Sequence, residues 1–223
     1  VNILALDTST DRCSVALWMK GEVLARDVLA GQRHSELLLP MVGEVLVEGG
    51  VSLKSLDGIA FGEGPGSFTG LRIGCGVAQG LALGADLPVA GIGTLLALAE
   101  GSGRDRVIAC LDARMGEIYH AVYEKREGEW QVVSPPRLCS PGEVPDVGAG
   151  RWTGAGNGFA AYGELLAAGY AGRLEEVMPD LHPRAADMAR LAESLFEQGL
   201  GMDAAYAAPC YLRDKVALKT SER

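Results

Sequence analysis

Histidine is scarce in this chain of 223 residues: His34, His120 and His182 are the only three, and none sits four positions from another. A metal pair on one helix face needs that spacing, so a helical two-histidine metal centre is excluded. Cys13, Cys75, Cys110, Cys139 and Cys210 are odd in number and no two lie within four positions of each other, so the sequence holds neither a disulfide framework nor a CxxC pair. Reduced, buried thiols are expected instead. Long apolar runs are also missing. Gly, Pro or charge interrupts each stretch before the ~18 residues that a membrane span needs, and no basic segment leads into an apolar one at the start. The expectation is a soluble, cytoplasmic protein with no membrane contact. Positive charge is the remaining shortage: 20 Lys plus Arg stand against 29 Asp plus Glu, a formal charge of −9. A phosphate backbone demands a concentrated cationic surface, so any RNA would be reached through a partner.

What is present is α/β grammar, in a length that suits two domains of about 100 residues each. VNILALD is an apolar run ending in an acidic turn, and SVALWMKGEVLARDVLA is two β-rich stretches around Lys20-Gly21, a hairpin signal. HSELLLPMVGEVLVEGG has helical spacing, with Ser35 as its cap and Gly49-Gly50 as its stop. LDGIAFG reads as a buried strand, then come a Gly-rich loop, the helix TGLRIGCGVAQGLALGA and the strand LPVAGIG. GSGRDR at 101–106 marks a linker, after which the order starts again: RVIACLDAR, GEIYHAVYEK and GEWQVVSP as strands, WTGAGNG leading into a helix at FAAYGELLAAG, and a last helix RAADMARLAESLFEQG. Three meandering strands followed by alternating helices and strands, twice, is the layout of the actin-like ATPase (ribonuclease H-like) fold: two duplicated βββαβαβα-type domains, the second reduced. The expected boundaries are 1–103, completed by the C-terminal segment 205–223, and 104–204.

The densest signal is FGEGPGSFTGLRIGCGVAQGLA, with glycines at 62, 64, 66, 70, 74 and 76. It suggests a phosphate cradle, yet no two of these glycines are five apart and no Lys lies between Lys54 and Lys125, so neither a P-loop nor a dinucleotide fingerprint is present. Two readings stay open: a tight strand-to-helix connection with Pro65-Gly66 as the turn and Thr69 as cap, or ligand binding by the loop amides. Within the following helix Gly74, Ala78 and Ala82 form a small-residue stripe that admits a close neighbour. In DTSTDRCSVAL, Asp7 with Thr8, Ser9 and Thr10 forms a polar tip; in actin-like ATPases the corresponding hairpin touches the nucleotide phosphates or their magnesium, so a vestigial nucleotide site of Asp7, Thr8, Ser9 and Asp112 is one reading and Asx- and ST-turns without a ligand are the other. No GxSxG nucleophile elbow occurs, which leaves a peptidase unsupported. On helix 35–48 the residues Leu37, Leu38, Met41, Val42 and Val45, with Leu39 and Leu46, cover roughly 200° at helical spacing, more than a core-facing stripe requires. Two readings stay open, a deeply buried helix or a surplus apolar flank, and the expectation taken from the second is an interface built from helices 35–48 and 69–84.

ILALDTSTDRCSVAL, RHSELLLP, GPGSFTGLRIG, DARMGEIY at 112–119, GAGNG at 154–158 and PCYLR at 209–213 together resemble the TsaB (YeaZ) family over nearly the whole chain. GPGSFTGLRIG is shared by TsaB and its catalytic relative TsaD, whereas DARMGEIY points to TsaB. The resemblance implies a non-catalytic accessory subunit, a pseudoenzyme, for threonylcarbamoyladenosine modification of tRNA beside the anticodon. Its implied partners are a TsaD-like catalytic subunit, a small TsaE-like ATPase, tRNA only through the complex, and itself as a homodimer when TsaD is absent. TsaD uses a metal held by histidines on a helix and an Asp, and this sequence lacks the histidine pair. No intrinsic cofactor is implied; ATP or ADP would sit at an interface with partners. The alternative is an ATP-dependent phosphotransferase or hydrolase of the same fold, with Asp7 and Asp112 at the metal and phosphates.

Overall fold

The computed structural model describes residues 1–213. It contains two five-stranded sheets of the same design. Strands β1 (Asn2–Asp7), β2 (Arg12–Met19), β3 (Glu22–Leu29), β4 (Gly58–Gly64) and β5 (Val89–Gly93) lie in the order β3-β2-β1-β4-β5. Strands β6 (Arg106–Asp112), β7 (Ile118–Arg126), β8 (Glu129–Cys139), β9 (Trp152–Ala155) and β10 (Leu174–Met178) repeat it as β8-β7-β6-β9-β10. In both sheets the first three strands are antiparallel and the last two join in parallel. Each second strand turns into the third through two residues of positive φ, Lys20-Gly21 in one sheet and Glu127-Gly128 in the other, the I′ geometry that matches strand twist.

Alternation along the strands sets the layers. Leu4, Leu6, Cys13, Val15 and Leu17 point to one face of the first sheet and pack under α1 (His34–Glu48) and α2 (Phe68–Ala85). Ile3, Ala5, Ala16 and Trp18 point to the other face, against the alanines of α5 (Ala185–Glu197). Both faces are covered, so β1 reads as a continuous apolar run. The second sheet has α4 (Gly158–Gly169) on one face, where Phe159 and Leu166 meet Ile108 and Trp152. On its other face lies α3 (Thr94–Gly101), through Leu95, Leu98 and Ala99.

The two central helices are therefore exchanged: α3 follows the first sheet in sequence and packs on the second, and α5 follows the second and packs on the first. Residues 104–204 are accordingly not one unit, a correction to the boundary expected from the linker composition. Ser14 Oγ of β2 accepts a 2.9 Å hydrogen bond from Ala185 N at the start of α5, and Trp18 donates to Glu193 at 2.8 Å. Asp187, fully buried, ties α5 together with Arg184 and Arg190 at 2.8 and 2.7 Å. From Met202, which bridges to Val89, through Ala204 under α2, the chain stays on the first domain; residues 214–223 of the expected completing segment lie outside the described residues. The second domain is the smaller because a loop over 140–151 stands where the first domain has α1. Among the described residues no helix is long and apolar enough to cross a membrane.

Candidate functional site

The C-terminal ends of β1, β4 and β6 open on one side of the molecule, and between them lies a cavity of about 710 Å³. Its walls are the β1–β2 hairpin at Ser9–Asp11, the β4–α2 loop from Gly66 to Leu71, the β6–β7 turn from Leu111 to Met115, Asn157 and the segment Cys210–Arg213. Of the four residues expected at a nucleotide site, Ser9 and Asp112 line this cavity, whereas Asp7 and Thr8 are buried behind it.

Asp7 ends β1 at 1% exposure, and its carboxyl group receives Ser9 Oγ at 3.0 Å and Ser9 N at 3.3 Å. Burial raises its pKa from 3.8 to about 7, with the Ser9 hydrogen bonds pulling the other way. Thr8 donates from Oγ1 to Gly70 O at 2.7 Å, pinning the hairpin to α2. The glycines of the loop serve that contact. A Cβ at Gly66 would lie 2.4 Å from Ser9 O, and one at Gly70 2.0 Å from Thr8 O. The amide that leads into α2 is also spent, because Ser67 N donates to Ser9 O at 2.7 Å. Of the two readings of this loop, close packing is the one the geometry supports. Asp112, at the matching end of β6, accepts from Arg114 N at 2.9 Å and pairs with Arg114 Nη1 at 3.3 Å.

Asp7 is turned to Ser9 behind the cavity and Asp112 is paired with Arg114; the cations of the lining are Arg114 and Arg213, with no Lys there among the described residues. Among the described residues, no three His, Cys, Asp or Glu side chains come together as a ligand set for a metal ion. The histidines have other partners. His34 Nε2 lies 2.9 Å from Thr10 O, seating the start of α1 on the first hairpin. His120 Nε2 lies 2.6 Å from the Tyr170 hydroxyl, and His182 Nε2 2.7 Å from Asp27.

The expected interface residues divide. Leu37 is partly buried and packs against the core, and Leu38, Met41, Val42 and Val45 are buried in it between α1 and the first sheet, Met41 with 5% exposure. Gly74, Ala78 and Ala82 likewise face inward, Gly74 over Thr8. These seven are core residues, and the arc of α1 is wide because it covers the sheet and touches α2 as well. The outward surface of the helix pair is made of others: Leu39 at 52% exposure, Val47 at 82%, and Gly76, Gly80 and Gly84, beside which a Cβ would meet open space. Spacing in the sequence does not reveal this set, because the second stripe, 76, 80 and 84, repeats at the same interval as 74, 78 and 82. Nor does it show that PCYLR forms a wall of the cavity, although the motif itself is visible.

Two halves on one βββαβαβα plan, the second with a loop in place of its first helix, and a cleft between their strand ends define an actin-like, ribonuclease H-like protein. The family model described as TsaD, tRNA N6-adenosine threonylcarbamoyltransferase, matches residues 27–220. The tRNA threonylcarbamoyladenosine biosynthesis protein TsaB of Escherichia coli (strain K12) is 42% identical, with 98% of this chain and 97% of that protein aligned. TsaB of Haemophilus influenzae is 38% identical over 98% of this chain and 96% of its own. The solved structure of YeaZ from Pseudomonas aeruginosa superposes with a TM-score of 0.88 at 39% identity, covering 95% of this chain and 99% of that one. The chain belongs to the TsaB (YeaZ) family, within the wider group that the TsaD model describes.

Proposed function

We propose that this chain is a non-catalytic subunit for threonylcarbamoyladenosine formation in tRNA, binding and activating a TsaD-like transferase. The observation that carries the reading is the outward face of α1 and α2. These neighbouring helices cover the same sheet face, and their solvent sides carry Leu39 and Val47 on α1 and the open glycines 76, 80 and 84 on α2. A helix from a partner can approach such a surface closely while burying apolar area. In the absence of the TsaD-like subunit the same face pairs with a second copy of the chain. The names of the relatives support the pathway. The net charge of −9 assigns the grip on tRNA to the partner.

The engagement of Asp7 and Asp112 within the chain supports the absence of chemistry of its own. A TsaE-like ATPase completes the assembly, and ATP or ADP binds where subunits meet. With the TsaE-like ATPase and ATP present throughout, threonylcarbamoyl adenylate and unmodified tRNA are supplied to the chain alone, to the TsaD-like protein alone and to the two together, and the modified nucleoside is counted by mass spectrometry. Turnover is expected only with both proteins. Turnover by this chain alone, or a TsaD-like protein equally active without it, contradicts the proposal.

A further inference from the structure

After the short turn at Ala204–Tyr206 the chain runs without regular structure from Ala207 to Arg213, crossing from one domain to the other with Cys210–Arg213 forming one wall of the cavity. It is attached at both ends. On the first domain Ala207 packs on the core under α2, and Cys210 N donates to Glu63 O at 2.6 Å. The Tyr211 ring lies 5.2 Å from that of Phe68 and its hydroxyl accepts from Arg72 at 2.9 Å. On the second domain Leu212 packs on the cluster formed by α3, β6 and β7.

Arg213 enters the β6–β7 turn. Its guanidinium donates to Ala113 O at 3.0 Å and Arg114 O at 3.4 Å and pairs with Glu117 at 2.8 Å, with only 14% of the side chain exposed.

Both seats are shaped for this segment. Gly64 has φ +125°, and a Cβ there would lie 2.4 Å from Cys210 O, so the backbone of β4 is left bare where the segment crosses it. In the β6–β7 turn Arg114 and Met115, neither of them glycine, have φ +63° and +56°, followed by Gly116 at +76°. L-residues adopt that conformation in succession only where surrounding contacts hold them there. The three acceptors gathered around Arg213 are such contacts, and the segment that engages them is anchored on the far domain.

The geometry points to residues 207–213 as a strap that gates the cavity between the domains, with Arg213 as its lock. With the strap seated, the left-handed turn is held and the cleft walls are tied together. With the strap lifted, the turn keeps only its own bonds, Arg114 N to Asp112 and Glu117 N to Arg114 O, and loses its anchor to the far domain, and the cavity opens on that side. The device is a pair of coupled states in one chain, independent of which partner or small molecule uses the cavity.

Amide hydrogen exchange on the whole chain tests this. The reporters are Ala113 N and Glu117 N, bonded within the turn, and Ser67 N on the opposite wall. Arg213→Ala is expected to speed exchange at all three by about tenfold or more while strands β1 and β6 keep wild-type protection. Tyr211→Ala, which leaves Arg213 in place, is expected to open the same three amides to a smaller degree. Wild-type exchange at Ala113 and Glu117 in Arg213→Ala overturns the lock. Loss of protection throughout the second sheet in either variant also overturns the proposal, because the segment is then a structural staple and not a gate.

Discussion

Asp7 and His120 are both buried titratable groups, and they act on stability in opposite directions. Burial raises Asp7 from 3.8 to about 7, so between pH 4 and 7 the native state holds a proton that the unfolded chain has released. Its contribution is present below pH 4 and lost as pH rises through 7. Burial, with Arg137 nearby, lowers His120 from 6.5 to about 4, so the unfolded chain is the better proton binder between pH 4 and 6.5. That contribution is present above pH 6.5 and lost as pH falls through 4. Across its window the contribution is about 4 kcal/mol for Asp7 and about 3 kcal/mol for His120, opposite in sign, so in the wild type they partly cancel. Urea denaturation from pH 4.5 to 8 is expected to show a shallow profile for the wild type. Asp7→Asn should gain stability with rising pH relative to it, and His120→Phe should lose it. Parallel profiles for all three proteins would contradict these assignments. At this scale the sequence is legible as chemistry and not as environment. Asp7 and Ser9 stand out as a polar tip, but whether a carboxyl group faces a ligand or its own hairpin depends on how closely Gly66 and Gly70 bring α2 to that tip.

Helix α2 carries two small-residue stripes that spacing cannot tell apart, and alanine substitution separates the inward side from the outward. Gly70→Ala drives a methyl group into Thr8 O and is expected to destabilise by about 1–3 kcal/mol or more. Gly80→Ala meets open space inside a helix and should stabilise by about 0.5–1 kcal/mol. Thermal melts moving in the same direction for both variants would contradict this orientation of α2. The companion orientation of α1 implies that Met41→Glu, which places a charge in the core, does not fold.

Element order is readable because patterning is local: the elements of the first sheet and the start of the second follow from alternation, spacing and the Lys20-Gly21 turn. Boundaries and caps are less so. Ser35 and Thr69 look like caps, yet α1 begins at His34 after Arg33 with no side-chain cap, and α2 is capped by Ser67, which accepts from Gly70 N at 3.3 Å. Strands β9 and β10 give no strand signal because WTGA is short and LEEVM is exposed along most of its length, leaving no alternation to read.

Across the whole molecule, the exchange of α3 and α5 between sheets welds the halves, and no local pattern announces which sheet a helix will cover. The inward stripe of α5 is three alanines and Met188, which lets it lie close to β1 and β2 but would suit any flat apolar face. The free face of α1 and α2 is the counterpart on the outside, and the proposed partner binding rests on it. The direct measurement is the molecular mass in solution of an equimolar mixture with the TsaD-like subunit, for the wild type and for Leu39→Glu. Leu39 is half exposed, so the variant should melt within a few degrees of the wild type. A buried, unpaired carboxylate at an interface typically costs several kcal/mol, so the variant should run as two separate proteins where the wild type runs as one complex. A Leu39→Glu protein that still forms the complex at wild-type affinity would contradict the assignment of this face to partner binding.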